Sequence, residues 1–168
     1  MGLFTRKFTI GELQMVDADR TERANNCQVK LIKIYHELKP ETLLSKIRTF
    51  FGGRADVLAY YVIFKLAITS DTGSTHTVFI KTNPDFDLEN WSTNKVEIYC
   101  DCPDFKYRSA YNLNQHDSLF LTDRIKIALG SSITDAPKAN TKTTRLCKHA
   151  VAALNWIVSN YSSLMRTI

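Results

Sequence analysis

The sequence lacks long hydrophobic runs and contains few cysteine, proline, glycine and tryptophan residues. Of its 168 residues, four are cysteine, four proline, six glycine and two tryptophan, which excludes collagen-like and disulfide-dense scaffolds. No segment approaches the roughly 18 uninterrupted apolar residues of a membrane-spanning helix, so we expect no membrane partner. The N-terminal residues also lack an apolar stretch that ends at a small-residue cleavage site, so we expect no secretory signal.

The sequence also lacks the short motifs of the common enzyme classes. It contains no nucleophile elbow, P-loop, HExxH or paired-carboxylate motif. Asp101 and Asp104 flank two of the cysteines, and we interpret them as a turn residue and a helix cap. We therefore expect that the protein is not an enzyme.

The composition is that of an ordinary globular protein with a mild basic excess. Hydrophobic residues make up 44% and charged residues 23% of the chain, and the net charge is +5. Residues 1–99 carry 13 basic and 12 acidic side chains, whereas residues 100–168 carry nine and five. A basic face in the second segment suits phosphate or an acidic protein partner, and a solvated surface with a chance excess is the alternative.

The pattern of apolar residues predicts an α+β fold, with an antiparallel β-meander packed with helices in a single domain. We predict strands over 27–35, 58–69, 75–82 and 94–102, and helices over 40–53, 103–115 and 146–161. Residues 116–133 fit a helix or a strand. Residues 1–26 show no strong periodicity and are predicted to be an N-terminal arm, partly extended, that becomes ordered on a partner surface. The domain then covers residues 27–168.

Three cysteines and a histidine form the strongest chemical pattern. Cys100-x-Cys102 is followed, after 44 residues, by Cys147-x-His149. Residues i and i+2 of a strand point to one face about 6.6 Å apart, and their thiolates can converge to the roughly 3.7 Å that tetrahedral zinc requires. Residues two apart inside a helix diverge by about 200°, so we expect the pair to lie across the N-terminus of the last helix, with Cys147 not yet fully helical. Three Cys and one His would close the shell around one structural zinc ion.

Two alternatives compete with zinc: unliganded core thiols, and a Cys100–Cys102 disulfide, whose short loop would be strained. Cys27 is interpreted as a small hydrophobic core residue of its strand. Three histidines have no partner at ligand spacing and are expected on the surface: His36, His76 and His116.

This pattern resembles the SWIM-type zinc finger, whose first ligand pair lies on a β-hairpin and whose second pair lies at the start of a helix. The resemblance covers residues 94–160 and includes all four ligand positions. The spacer of the family is usually shorter, so residues 106–145 look like an insertion.

The strings CDCPDFKYRSAY and LCKH, with DAPK between them, also resemble small bacteriophage virion proteins found among head, neck and tail genes. The resemblance implies a zinc-stabilised structural protein of the virion, made in the reducing host cytoplasm. Other virion proteins would be its partners, through the N-terminal arm and the loop 133–145, within an oligomeric assembly.

The alternative function is nucleic-acid binding without base specificity. Basic residues near the zinc ligands would contact phosphates, which position a protein on nucleic acid but carry no sequence information. The candidates are Lys106, Arg108, Lys138, Lys142, Arg145 and Lys148.

Overall fold

The computed structural model describes residues 7–15, 18–38, 60–83, 85–135 and 146–166. The predicted helix over 40–53 and most of the loop 133–145 lie outside these ranges. The described strands are β1 (Gln28–Leu38), β2 (Tyr60–Thr69), β3 (Thr75–Thr82) and β4 (Val96–Cys100). The described α-helices are α1 (Ile10–Gln14), α2 (Ala18–Asn25), α3 (Pro103–Arg108), α4 (Ala110–Gln115), α5 (Asp123–Leu129) and α6 (Lys148–Met165), with 3₁₀ turns at Trp91–Thr93 and Gly130–Ile133.

The four strands form one antiparallel sheet in the order β1-β2-β3-β4. The predicted α+β class and the β-meander are thereby confirmed. In β1 the register shifts between Leu31 and Lys33. Leu31 and Ile34 are three positions apart, which would place them on opposite faces of a regular strand, but this bulge sets them opposite Leu66 and Phe64 of one sheet face.

One face of the sheet carries the hydrophobic core. Alternate residues of β2 point to it, and Phe64, Leu66 and Ile68 are fully buried. The long helix α6 packs on this face, where the Tyr161 ring lies 5.9 Å from the Phe64 ring. No helix within the described ranges is long and apolar enough to cross a membrane.

The N-terminal residues form two packed helices. The prediction of a partly extended arm was therefore wrong for the residues that the structure describes. Thr9 and Glu12 make a reciprocal capping box at the start of α1. Ile10 and Leu13 on this helix are fully buried, and α2 packs against α6. These residues are helical because α6 and the segment before β4 offer them a surface to pack on. The Ile10 N–H, for example, donates to the Asn94 carbonyl at 2.9 Å.

The segment after β4 is helical in three pieces. The predicted helix over 103–115 is divided into α3 and α4 at Ser109, which is fully buried. Leu119 then makes a parallel bridge with Ile98. The ambiguous residues 116–133 therefore contain both an extended part and a helix, α5, whose cap is the Thr122 hydroxyl that accepts from the Ile125 N–H.

Candidate metal centre

The structure brings the four predicted zinc ligands together. Cys100 ends β4, Cys102 precedes α3, Cys147 precedes α6, and His149 lies in the first turn of α6. Their ligand atoms all lie within 4.8 Å of one another, and all four residues are buried. Sulfur atoms on a tetrahedral zinc ion are about 3.7 Å apart, so the four ligand atoms are close enough together for a zinc ion to be bound between them.

Cys102 and Cys147 are both helix N-caps. The Cys102 sulfur accepts the Phe105 N–H at 3.3 Å, and Pro103 fills the first position of α3. The Cys147 sulfur accepts the Ala150 N–H at 3.4 Å. The free N–H groups and the positive end of each helix dipole favour the thiolate form that binds metal.

The backbone of Cys147 explains how it meets His149. Its φ of −67° and ψ of 158° are extended, and α6 begins one residue later at Lys148. Cys147 therefore lies outside the helical spiral, so the roughly 200° divergence of two helical residues does not apply. This confirms the expectation that Cys147 is not yet helical, although the helix was predicted to start at 146 and begins at Lys148.

The three thiols perturb one another strongly. Burial raises the pKa of the Cys100 and Cys147 thiols well above the ordinary value of 9.0. Hydrogen bonds from those two thiols lower the pKa of Cys102, and the hydrogen bond from the Phe105 N–H adds to the effect. These opposed shifts reflect three buried thiols that share one small space, and zinc binding would release the protons that they carry.

His149 supplies an independent test of whether zinc fits the site. Both ring nitrogens, Nδ1 and Nε2, are buried and find no hydrogen-bond partner among the described residues. Leaving a buried polar atom unsatisfied costs about 1–3 kcal/mol. Coordination of one nitrogen would remove part of this cost, and a set of three sulfurs and one nitrogen is typical of structural zinc. The tetrad is therefore suited to binding one zinc ion.

His76 lies against the metal centre and not on an open surface, which corrects the prediction made for it. Its ring centroid is 4.5 Å from that of His149. Its Nδ1 lies 3.0 Å from an Asp101 carboxylate oxygen, which also accepts the Thr77 N–H at 3.0 Å. Asp101 thus anchors His76 beside the ligand. Val78 pairs with Cys100, so the strand alternation of a predicted β3–β4 hairpin could have revealed this neighbour.

The other singled-out residues lie outside the tetrad. Cys27 is only half-buried beside the core and lies one residue before β1, so it is not the core residue of a strand that was expected; its thiol donates to the Arg23 carbonyl at 3.3 Å. His36 is exposed in β1. The ring of His116 lies 4.1 Å from the Phe8 ring.

Three of the six predicted phosphate contacts are described. The Lys106 ammonium donates to the Ala128 carbonyl at 2.9 Å, Arg108 pairs with Asp104 at 3.0 Å, and Lys148 pairs with Asp71 at 3.0 Å. The remaining three lie outside the described ranges: Lys138, Lys142 and Arg145.

A polar cleft of about 380 Å³ lies beside the metal centre. Arg108 and Lys148 line it together with Arg20 and Arg23 of α2. Sequence reasoning assigned the latter two to the arm and missed them, because only the packing of α2 on α6 brings them here.

Comparison with known families agrees with this geometry. Residues 76–112 and 144–155 match the SWIM zinc finger family model, and the two matched segments contain all four ligands. No curated protein and no solved structure matches the chain. The family match and the buried tetrad together support a SWIM-type zinc finger in this chain.

Proposed function

We propose that this protein is a structural and interaction component of a bacteriophage virion, stabilised by one zinc ion, and that it is not an enzyme. The observation that carries the proposal is the closed, buried tetrad of Cys100, Cys102, Cys147 and His149. The tetrad links the end of β4 to the start of α6. Its members Cys100 and Cys147 are 47 positions apart in the sequence.

The arrangement of the ligands supports a structural role for the metal. A catalytic zinc site keeps one position for water, whereas three cysteines and one histidine occupy all four tetrahedral positions. Both ligand pairs also sit at helix starts that the core holds in place. Zinc would therefore clamp the sheet to α6 and stabilise the SWIM-type finger.

The virion role is supported by the resemblance of the strings CDCPDFKYRSAY and LCKH to small phage virion proteins. The cysteines are unpaired in the structure, which agrees with synthesis in a reducing host cytoplasm. Mass spectrometry of purified particles tests this role directly. We expect the protein at a fixed copy number beside portal, capsid or tail proteins, and its absence from washed particles would refute the virion assignment.

The N-terminal residues and the loop 133–145 are the proposed contacts with other virion proteins. Ile10 and Leu13 of α1 are buried, but Met15, which follows the helix, is 77% exposed. Met15 is therefore an apolar side chain that a neighbouring protein could cover. Lys7 precedes α1, and Lys138 and Lys142 belong to the loop. Lysine cross-linking of intact particles should therefore join these positions to neighbouring chains. Cross-links confined to lysines elsewhere in this chain would contradict the assignment.

A second candidate function, nucleic-acid binding, is favoured by the cleft beside the metal centre. Arg20, Arg23, Arg108 and Lys148 line it, and arginine is well suited to phosphate. Asp19 and Asp104 also line it and offset part of this charge. Binding of a fluorescent DNA duplex at about 50 mM salt, with a steep decline as salt rises, would support this function. No binding at that salt concentration would remove it.

A further inference from the structure

The face of the sheet that points away from the core contains a groove that the zinc finger does not explain. The groove has a volume of about 590 Å³. Its floor is formed by outward-facing residues of all four strands, and its wall by Phe120 and residues of α5. Pockets of about 300–1,000 Å³ are typical of sites for small ligands and cofactors.

Aromatic and aliphatic side chains form much of the floor. Phe79 and Tyr99 are neighbours across β3 and β4, and Phe79 stacks on Phe120 with the ring centroids 5.4 Å apart. Tyr35 from β1 adds a ring that is 37% exposed. Phe120 and Lys65 already contact the Phe79 ring, and the Lys33 ammonium lies 4.8 Å from the centre of the Tyr35 ring. A planar ligand would therefore stack mainly on the exposed part of Tyr35, and stacking on aromatic side chains contributes about 1–3 kcal/mol per nucleic-acid base.

Two cations enter the same groove. Lys65 lies on the floor, with its ammonium 5.7 Å from the centre of the Phe79 ring, and Arg124 lies on the wall. Neither makes an ion pair with any residue that the structure describes within 4 Å. Lys33 is the cross-strand partner of Lys65 and adds positive charge beside the groove.

The acidic residues of the groove are already engaged. Glu37 accepts a hydrogen bond from the Lys81 ammonium at 2.8 Å. Asp101 hydrogen-bonds to His76 and accepts the Thr77 N–H. Because Lys81 offsets Glu37, Lys65 and Arg124 outnumber the one remaining carboxylate, Asp101, and the groove keeps a net positive charge next to an aromatic floor. An anion that also carries a planar ring matches both features.

We propose that this groove binds a nucleotide unit, with its base against the floor of Tyr35 and Phe79 and its phosphate between Lys65 and Arg124. The unit has two possible sources, a free mononucleotide or one position of a single strand. The site lies apart from the basic cleft beside the zinc ligands, so it does not depend on the function proposed for the finger.

The test measures binding by the zinc-loaded full chain to three probes at about 50 mM salt: adenosine monophosphate, a fluorescent oligothymidylate and inorganic triphosphate. The variant K65Q/R124Q removes both cations, and Y35A removes the exposed ring. K126Q is the matched control, because Lys126 lies on the same helix as Arg124 but outside the groove. Zinc content and melting temperature show that each variant is folded.

We expect K65Q/R124Q to weaken nucleotide binding at least tenfold and to flatten its salt dependence, since each lost phosphate contact lowers the log–log slope by about 0.7–0.9. Y35A should weaken nucleotide binding several-fold, and K126Q should bind like the parent. If the mononucleotide and the oligomer bind with equal affinity per site, the natural ligand is a free mononucleotide. If the affinity rises strongly with the length of the strand, the natural ligand is a single strand.

Three results would overturn the proposal. The first is no binding of either nucleotide probe at millimolar concentration by folded, zinc-loaded protein. The second is binding of inorganic triphosphate as strong as that of the nucleotide probes, together with unchanged nucleotide binding by Y35A. The third is equal binding by K65Q/R124Q and K126Q. None of these results would alter the zinc content on which the function proposed for the finger depends.

Discussion

Replacing Cys147 by serine isolates the contribution of the metal from that of the helix cap. The Cys147 sulfur has two roles: it belongs to the tetrad and accepts the Ala150 N–H at the start of α6. Serine is among the best N-cap residues, so its hydroxyl can keep the second role. It is a poor replacement for a thiolate zinc ligand. C147S should therefore lose zinc while the start of α6 stays capped.

The size of the effect follows from linkage. A ligand that binds only the folded state, at a free concentration of about 1,000 times its Kd, stabilises that state by about 4 kcal/mol. For a domain of about 150–250 residues, each kcal/mol corresponds to about 2–4 °C in melting temperature. We therefore expect C147S to melt about 8–16 °C below the parent in zinc-buffered solution. C147A should lose about 1 kcal/mol more, because it also removes the cap.

The assay combines elemental analysis with calorimetry at a fixed free zinc concentration. The parent should contain one zinc ion per chain, and C147S should contain close to none. C27A is the control, because Cys27 lies outside the tetrad and its loss should leave the zinc content at one. The ligand assignment is refuted if C147S keeps a full equivalent of zinc and melts with the parent.

Four further predictions concern the same centre and its support. H149A should lower the zinc content towards zero, and a full equivalent in the variant would exclude this ligand. H76A should keep one zinc ion but release it faster to a chelator, because the His76 ring covers His149; an unchanged release rate would contradict that shielding. L13A should destabilise the protein by about 2–5 kcal/mol, because it empties a fully buried position, and an unchanged melting temperature would show that α1 does not pack in solution. For metal-free, reduced protein, burial raises the pKa of Cys100 and Cys147 above 9.0, so unfolding releases protons above that pH. Its stability should therefore fall as the pH rises beyond about 9, and a rise in melting temperature over that range would contradict the pKa directions.

Local patterns were sufficient to predict most of the regular structure. The strands over 58–69 and 75–82 were predicted within two residues of β2 and β3, because alternation and β-branched residues act over short distances. The final helix was predicted over 146–161 and is observed over Lys148–Met165, because the periodicity of a helix is also a pattern among near neighbours. The helix over 103–115 was predicted in one piece, whereas the structure divides it at buried Ser109, a break that depends on the packing around that residue.

The ligand set was also readable from the sequence, because the donor chemistry of cysteine and histidine is specific and the spacing within each pair is local. The neighbours of the ligands were not predicted, although the alternation of β3 and β4 could have revealed them. His76 and Asp101 lie 25 residues apart and meet only through the pairing of β3 with β4. The single-residue properties of His76 gave no sign that its ring would lie beside His149.

The sequence by itself determined the donor atoms, the strands and the last helix, since each depends on residue type and on neighbours a few positions away. Only the tertiary structure decided that the N-terminal residues form helices packed on α6, because helices of five and eight residues are marginal without a surface to bury their apolar side. It also decided that α5 faces the outer side of the sheet across a basic, aromatic groove. Residues brought together from four strands and a helix share no local pattern, so their grouping depends on the fold as a whole.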